Sequence, residues 1–458
     1  AQHRPRRRGA AIRHVMTDDL RIHATARPGP RHGGEHVLYW MQSTFRARDN
    51  HALDFAVEQA NQLRLPVVVY HGLRHDYPWA SDRLHTFLLE TAADLYQEFE
   101  ELGLQYAFYL ERDGDDAASR QAAGRPSPLV ELARRAALVV TDYFPTFLAP
   151  RQTRALRRKV NTPVVAVDSA TVVPVRYHQR EYPTAPPFRS RLMAALPHFL
   201  KRSPSPEPRA RQRVDLPFEP TVPAGGIAEL VASCDIDHSV PPAPVIRGGP
   251  RAARERLERF LNTGLPRYEE ERGDPNANAT SGLSPYLHFG NLSPGEVVLR
   301  ARESGPAEPF AKFQDEILTW RELAFNFTHF NPRHRTVEAI PDWARRELRE
   351  GESDARPALY TAEELERAGT AEPLWNAAQT AYLRDGWMPN ALRMLWGKAV
   401  IQWTRNAEEA LAILEHLNNK YSLDGRDPSS YLNILWVFAS STGRSIGGRS
   451  TERYGTCR

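Results

Sequence analysis

The chain has 458 residues, with 60 Lys and Arg against 56 Asp and Glu for a net charge of +4, and it is 41% hydrophobic and 25% charged. That length predicts two domains of about 200 residues each, and the composition excludes a disordered or low-complexity chain. No apolar run approaches the roughly 20 residues of a membrane helix, and two distant cysteines, Cys234 and Cys457, exclude a disulfide framework and a zinc cluster. The expectation is a soluble, metal-free monomer in a reducing compartment, cytoplasmic or associated with the nucleoid.

Residues 1–34 read as a basic tail. Arg4, Arg6, Arg7, Arg8 and Arg13 have no apolar stretch behind them, so a secretory signal is not expected. From Val37 short apolar runs alternate with amphipathic segments: VLYW, Asp49 to Leu63, PVVVYHG, Ser81 to Leu102, QYAFYL, Pro128 to Ala136, ALVVTDYF, Arg151 to Val160 and PVVAVDS. This strand–helix alternation predicts an α/β domain over 35–170, Rossmann-like in layout. Its strands are apolar throughout, as in a parallel sheet covered on both faces.

Over 171–249 periodicity fails and proline accumulates in YPTAPPF, SPSPEP and VPPAPV, so a linker wrapping over the surface is expected. It carries a basic cluster, Lys201, Arg202, Arg209, Arg211 and Arg213; the C-terminal run Arg444, Arg449, Arg453 and Arg458 is another. Either suits a polyanion or is a solvated surface. From 250 to 458 an all-helical domain is predicted, with helices at Ala252 to Asn262, Pro294 to Arg302, Pro309 to Phe327, Pro341 to Arg349, Ala362 to Ala368, Glu372 to Asp385, Asn390 to Thr404 and Ala407 to Lys420.

Three places in this half carry residues suited to chemistry. Trp396 and Trp403 are seven residues apart, about 10 Å along one helix face. Trp375 extends that row, which suits core packing and electron relay alike. The stretch from Leu417 to Pro428 sets Asn418, Asp424 and Asp427 after a long apolar helix, either as a capped loop or as the few fixed hydrogen bonds of a cofactor pocket. Thr280 to Gly290 places hydroxyls and glycines before a helix, as a cap or a diphosphate site.

Together these segments resemble the photolyase and cryptochrome superfamily, and within it the class II cyclobutane pyrimidine dimer photolyases. The motifs are Val37–Met41 with Arg46, Asp49 and Asn50, SGLSPYLHFG from Ser281, Trp320–Leu323, Pro341–Trp343, Leu374–Gln379, Leu392–Lys398 and Leu423–Pro428, colinear from Val37 to Arg458. The resemblance implies an N-terminal antenna domain and a helical domain binding FAD. It implies Tyr268, Ser281, Gly282, Leu283 and Ser284 at the flavin phosphates and ribose, Asp424 and Asp427 at the isoalloxazine and ribityl region, Arg393 beside them and Asn418 facing N5.

It further implies Trp375, Trp396 and Trp403 as electron-transfer residues and Glu316 as the active-site carboxyl group that hydrogen-bonds the thymine carbonyls. Trp320, Met394, Trp436 and Arg444 fall on the lesion side. The partner is then DNA containing pyrimidine dimers, and the activity is light-driven dimer splitting by an electron lent from excited reduced FAD. A deazaflavin or folate-type antenna pigment is a further expectation. Ala391 and Ile446 stand where the family has aromatic residues, which motivates an alternative reading as a cryptochrome-like photoreceptor.

Overall fold

The computed structural model describes residues 20–23, 29–112, 114, 127–202, 204–305 and 307–441. Arg444, Ile446, the first arginines of the N-terminal tail, the C-terminal basic run and Cys457 lie outside them.

The expected α/β domain is a six-stranded sheet: β1 (Ile22–His23), β2 (His36–Met41), β3 (Val67–Leu73), β4 (Gln105–Leu110), β5 (Ala136–Asp142) and β6 (Val164–Val167), in spatial order β1-β6-β5-β2-β3-β4. β2 to β6 pair in parallel, and only β1 runs antiparallel, at the edge beside β6. Every residue of β2 and of β5 is buried, which is why these strands show no polar alternation. Helices His51–Leu63, Asp82–Glu101, Pro128–Arg135 and Ala149–Lys159 form the crossovers. Asn50 starts the first of them, accepting from the Leu53 amide at 3.1 Å.

β1 falls within the expected basic tail. Arg21 is buried there and donates to the carbonyls of Asp168, Thr171 and Val172 at 3.0, 3.0 and 2.7 Å. Two residues of strand give too short a pattern to read from sequence.

The proline-rich linker also departs from expectation, because it contains a 15-residue helix, Ala185–Phe199. Pro186 and Pro187 occupy its first turn, where no intrahelical N–H is needed, and Phe188, Leu192, Ala195 and Leu196 bury one face. Prolines that looked like breakers are helix starters here. Further along, the linker follows the β4 edge: Val214 exchanges two hydrogen bonds with the Gln105 side chain, and the Thr221 amide donates to the Phe108 carbonyl.

The C-terminal half is helical, with several additions to the expected pattern. The segment expected as one helix from Pro309 to Phe327 is Ala307–Gln314, a π-helical turn Asp315–Trp320 and Arg321–Phe330. A last helix, Pro428–Ser441, buries Tyr431, Ile434, Leu435, Val437 and Phe438. One apolar cluster runs from the sheet (Val37, Phe108) through Phe188 to Leu257 and Leu318; a second, with Tyr382, Leu414 and Phe438, lies wholly in the C-terminal half. Among the described residues no helix is long and apolar enough to cross a membrane, and no group of three or more metal-ligating side chains forms.

Candidate cofactor and lesion site

The loop Ser422–Asp427 between the last two helices is buried rather than a surface turn, since Ser422, Leu423, Asp424, Arg426 and Asp427 are all withdrawn from solvent. Arg426 holds it from within. This residue sits at φ 67, a strained left-handed conformation, and its guanidinium donates to the carbonyls of Asn419, Ser422 and Leu423. The turn therefore presents Asp424 and Asp427 inward.

Arg393, on the Asn390–Gln402 helix, meets the Asp424 carboxylate at 2.9 and 3.2 Å. The Ser422 and Ser284 hydroxyls also reach that carboxylate, and the Trp387 indole donates to Ser284 Oγ at 3.0 Å. Burial alone would raise the Asp424 carboxyl, but Arg393 holds it below the usual carboxylate range. Asp427 takes the same direction against burial, through His288 at 3.2 Å and the more distant Arg321. It also caps the final helix, accepting from the Ser429 amide at 2.8 Å.

Asn418 is buried on the Ala407–Tyr421 helix, with the Tyr382 hydroxyl on its side-chain oxygen at 3.1 Å and Asn419 Oδ1 3.3 Å from its nitrogen. In the serine loop, Gly282 sits at φ 62 with the Arg256 guanidinium packed where a Cβ would be. Arg256 donates to the carbonyls of Ser281 and Thr280 at 2.7 and 3.2 Å. Ser281 Oγ accepts from the Leu283 amide at 3.4 Å, and the Leu283 side chain is buried in the core.

The donor chemistry fits a polar, phosphate-bearing cofactor on two counts. Arg393 Nε is a buried donor with no partner among the described residues, and the serine loop turns at Gly282 in a left-handed conformation (φ 62) that disfavours a side chain.

The tryptophans are brought together in an order that spacing did not give. Trp375 lies between the other two: its ring is parallel to Trp396 at 6.2 Å and edge-on to Trp403 at 5.4 Å. Its indole donates to the Trp396 carbonyl at 3.1 Å, and the Trp396 indole donates to Gln379 Oε1 at 2.9 Å. Tyr382 touches both Trp396 and Asn418, so the row runs on towards the Asn418 side chain.

Glu316 and Trp320 ride on the π-helical turn, a geometry that often marks functional sites. Glu316 pairs with Arg272 at 3.0 Å and Lys312 at 3.2 Å. The Trp320 and Trp436 rings meet at 5.8 Å, and Trp436 is 47% exposed, leaving an aromatic face open. Met394 is half-buried and Ala391 exposed. Tyr268 packs on Phe260 and Phe313, with Glu316 and Arg272 as its charged neighbours.

Sequence reasoning assigned no role to Arg256, His288, Gln379, Tyr382 or Trp387. His288 and Gln379 lie inside recognised motifs. Arg256 gave no local signal, because an arginine on an amphipathic helix looks like any surface cation.

The family model described as DNA photolyase matches residues 37–209. The deoxyribodipyrimidine photo-lyase of Methanothermobacter thermautotrophicus is 34% identical, over 88% of this chain and 86% of that protein. The Arabidopsis thaliana protein of the same name is 33% identical, over 87% of this chain and 80% of its own. Among solved structures, a bacterial class III photolyase from Agrobacterium tumefaciens superposes with a TM-score of 0.65 at 20% identity, covering 91% of this chain and 81% of that one. An archaeal photolyase from Sulfolobus tokodaii, described with two FAD molecules, gives 0.61 at 16% identity, covering 88% and 83%. These structures match in fold, whereas the archaeal and plant sequences agree along most of both chains, and on that agreement the chain belongs to the DNA photolyase family.

Proposed function

We propose that this photolyase is of class II, that it binds FAD between the serine loop and the Ser422–Asp427 loop, and that it splits cyclobutane pyrimidine dimers in DNA under blue light. The observation that carries the reading is the convergence of the Arg393–Asp424 pair and Asn418 on a buried site joined by Tyr382 to the Trp396–Trp375–Trp403 row. The class II assignment rests on the colinear motifs from Val37 onward. The names of the relatives and the two FAD molecules reported for the Sulfolobus tokodaii protein support the activity and the cofactor.

Reduced FAD, when bound and excited, supplies the electron that opens the dimer and receives it back. The chain's own residues do the rest. Tyr268, Ser281, Gly282, Leu283 and Ser284 would hold the phosphates and ribose, with Arg256 fixing the serine loop. Asp424 and Asp427 would accept hydrogen bonds from the ring and ribityl region, and Arg393 keeps Asp424 ionised. Asn418 would face the flavin ring at N5, and Trp396, Trp375 and Trp403 would form the relay that keeps a bound flavin reduced.

Glu316 hydrogen-bonds the flipped thymines, and Trp320 and Trp436 stack beside them; flipping costs a few kcal/mol, less at a damaged step. An antenna pigment of deazaflavin or folate type would sit in the N-terminal domain. The protein acts as a monomer in the cytoplasm or nucleoid.

One absorption spectrum of purified protein, dark and after blue light with a thiol, tests the cofactor, the antenna and the tryptophan row together. A protein that holds no flavin and takes up none ends this reading. The exposed Ala391, in place of an aromatic, favours a photoreceptor as the second reading. That reading requires photoreduction without preference for damaged DNA, so selective binding of a dimer-containing duplex eliminates it.

A further inference from the structure

Arg83 belongs to the N-terminal domain, yet its guanidinium is spent on the other one. It lies near the start of the Asp82–Glu101 helix and is 1% exposed, among the largest fully buried side chains of the protein. Nη1 donates to the Tyr421 carbonyl at 2.6 Å; Nη2 donates to the carbonyls of Leu383 at 2.5 Å and Arg384 at 3.2 Å; Nε donates to the linker carbonyl of Pro241 at 3.0 Å.

Tyr421 ends the Ala407–Tyr421 helix, which carries Asn418. Leu383 and Arg384 end the Pro373–Asp385 helix, which carries Trp375. Carbonyls in a last helical turn have no intrahelical partner, and a buried one left unpaired is costly. One cation therefore closes both helix ends at once, with the favourable sign for the C-terminal dipoles.

The contact reaches the cofactor loop directly. Gly386, the left-handed cap after the Trp375 helix at φ 68, lies under Arg83, and a Cβ there would come within 3.0 Å of Arg83 Cδ. The Gly386 carbonyl accepts from the Leu423 amide at 2.9 Å, stitching this cap to the Ser422–Asp427 loop. Two further contacts press on the loop from the same domain. Thr146 Oγ1 donates to the Arg426 carbonyl at 2.8 Å, and the Phe147 ring lies under the Arg426 guanidinium at 5.9 Å.

We propose that Arg83 is a positioning residue for the cofactor site: the N-terminal domain, through this side chain, fixes the ends of the Trp375 and Asn418 helices and so the presentation of Asp424. The inference builds on FAD binding at that loop. It assigns the N-terminal domain a part in shaping the site that is independent of any antenna pigment.

The test compares full-length Arg83→Gln and Arg83→Lys with Arg21→Gln, which removes another buried arginine bound to backbone carbonyls, those of Asp168, Thr171 and Val172, and none in this loop. Amide hydrogen exchange over 383–388 and 418–428 is measured together with the dissociation constant for FAD and the vibronic structure of the bound flavin spectrum. Arg83→Gln should speed exchange in both segments, weaken FAD by about tenfold or more and blur the spectrum. Arg83→Lys should recover part of each, while Arg21→Gln leaves all three at wild-type values.

Wild-type exchange and affinity in Arg83→Gln overturn the proposal, as does an equal loss in Arg21→Gln, which would mark general destabilisation. If Arg83→Gln does not fold, Arg83→Lys against Arg21→Gln decides by the same readouts. If wild-type protein takes up no FAD, the functional reading falls, and the exchange comparison still decides whether Arg83 orders the loop.

Discussion

The Arg393 guanidinium and the Asp424 carboxylate form a two-point ion pair, at 2.9 and 3.2 Å, with side chains only 16% and 7% exposed. Breaking a buried pair by removing one member leaves an uncompensated charge, which costs about 3–5 kcal/mol. Arg393→Leu should therefore lower the urea midpoint sharply and empty the cofactor site. Asp424→Asn keeps the shape but leaves the Arg393 cation buried and unpaired, so it too should lower the midpoint and retain FAD poorly. Chemical unfolding and flavin content of the two variants measure this.

A second expectation concerns the row. Because Trp375 touches both neighbours, Trp375→Phe should abolish light-driven reduction of the flavin while leaving FAD bound, and Trp403→Phe should spare the transfers from Trp396 and Trp375 and impair only the last step, between Trp375 and Trp403. Steady-state photoreduction and transient absorption separate the two. Had the row followed helix spacing alone, loss of Trp375 would be the milder change.

Trp436, exposed beside Trp320, is expected to matter for the damaged base and little for the cofactor. Trp436→Ala should weaken binding of a dimer-containing oligonucleotide by about 1–3 kcal/mol, roughly 5- to 150-fold, by the stacking estimate for one base. Glu316→Gln should bind that oligonucleotide nearly as wild type and split it with a lower yield per photon absorbed. Titration with damaged and undamaged duplex, followed by illumination, reads both.

Buried imidazoles make the fold acid-sensitive. Burial pushes His71 down to about 3 and His36, His85 and His178 down to about 4, from an ordinary value of 6.5. The unfolded chain takes up these protons first as pH falls, so the stability from the neutral rings is complete above 6.5 and is lost on acidification towards their folded values. Each ring contributes a slope of about 1.4 kcal/mol per pH unit in that window. Unfolding free energy measured from pH 7 to pH 5 should fall steeply, and His71→Leu should remove about one ring's share of the slope.

Much of the fold was readable because β2, β3 and β5 are apolar runs bounded by turns, and the helices after Arg251 announce themselves by period and by prolines at their starts. What escaped has physical causes. Pro186 and Pro187 open a helix instead of preventing one, and the π-helical turn under Glu316 leaves no mark on hydrophobic spacing. β1 is too short to show a pattern. Asn418, Asp424 and the three tryptophans were visible as residues, yet not their partners: the Arg393 pairing, the central place of Trp375 and the grip of Arg83 on two helix ends all join positions far apart in the chain.

The most direct test of the account is repair itself. Protein loaded with FAD and reduced is mixed with an oligonucleotide carrying one cyclobutane thymine dimer, and intact thymines are counted by chromatography after blue light and after an equal time in the dark. The account predicts that dimers disappear only under light and that the same flavin molecules turn over repeatedly. Full photoreduction of the flavin with every dimer left intact would contradict it and point to a light sensor.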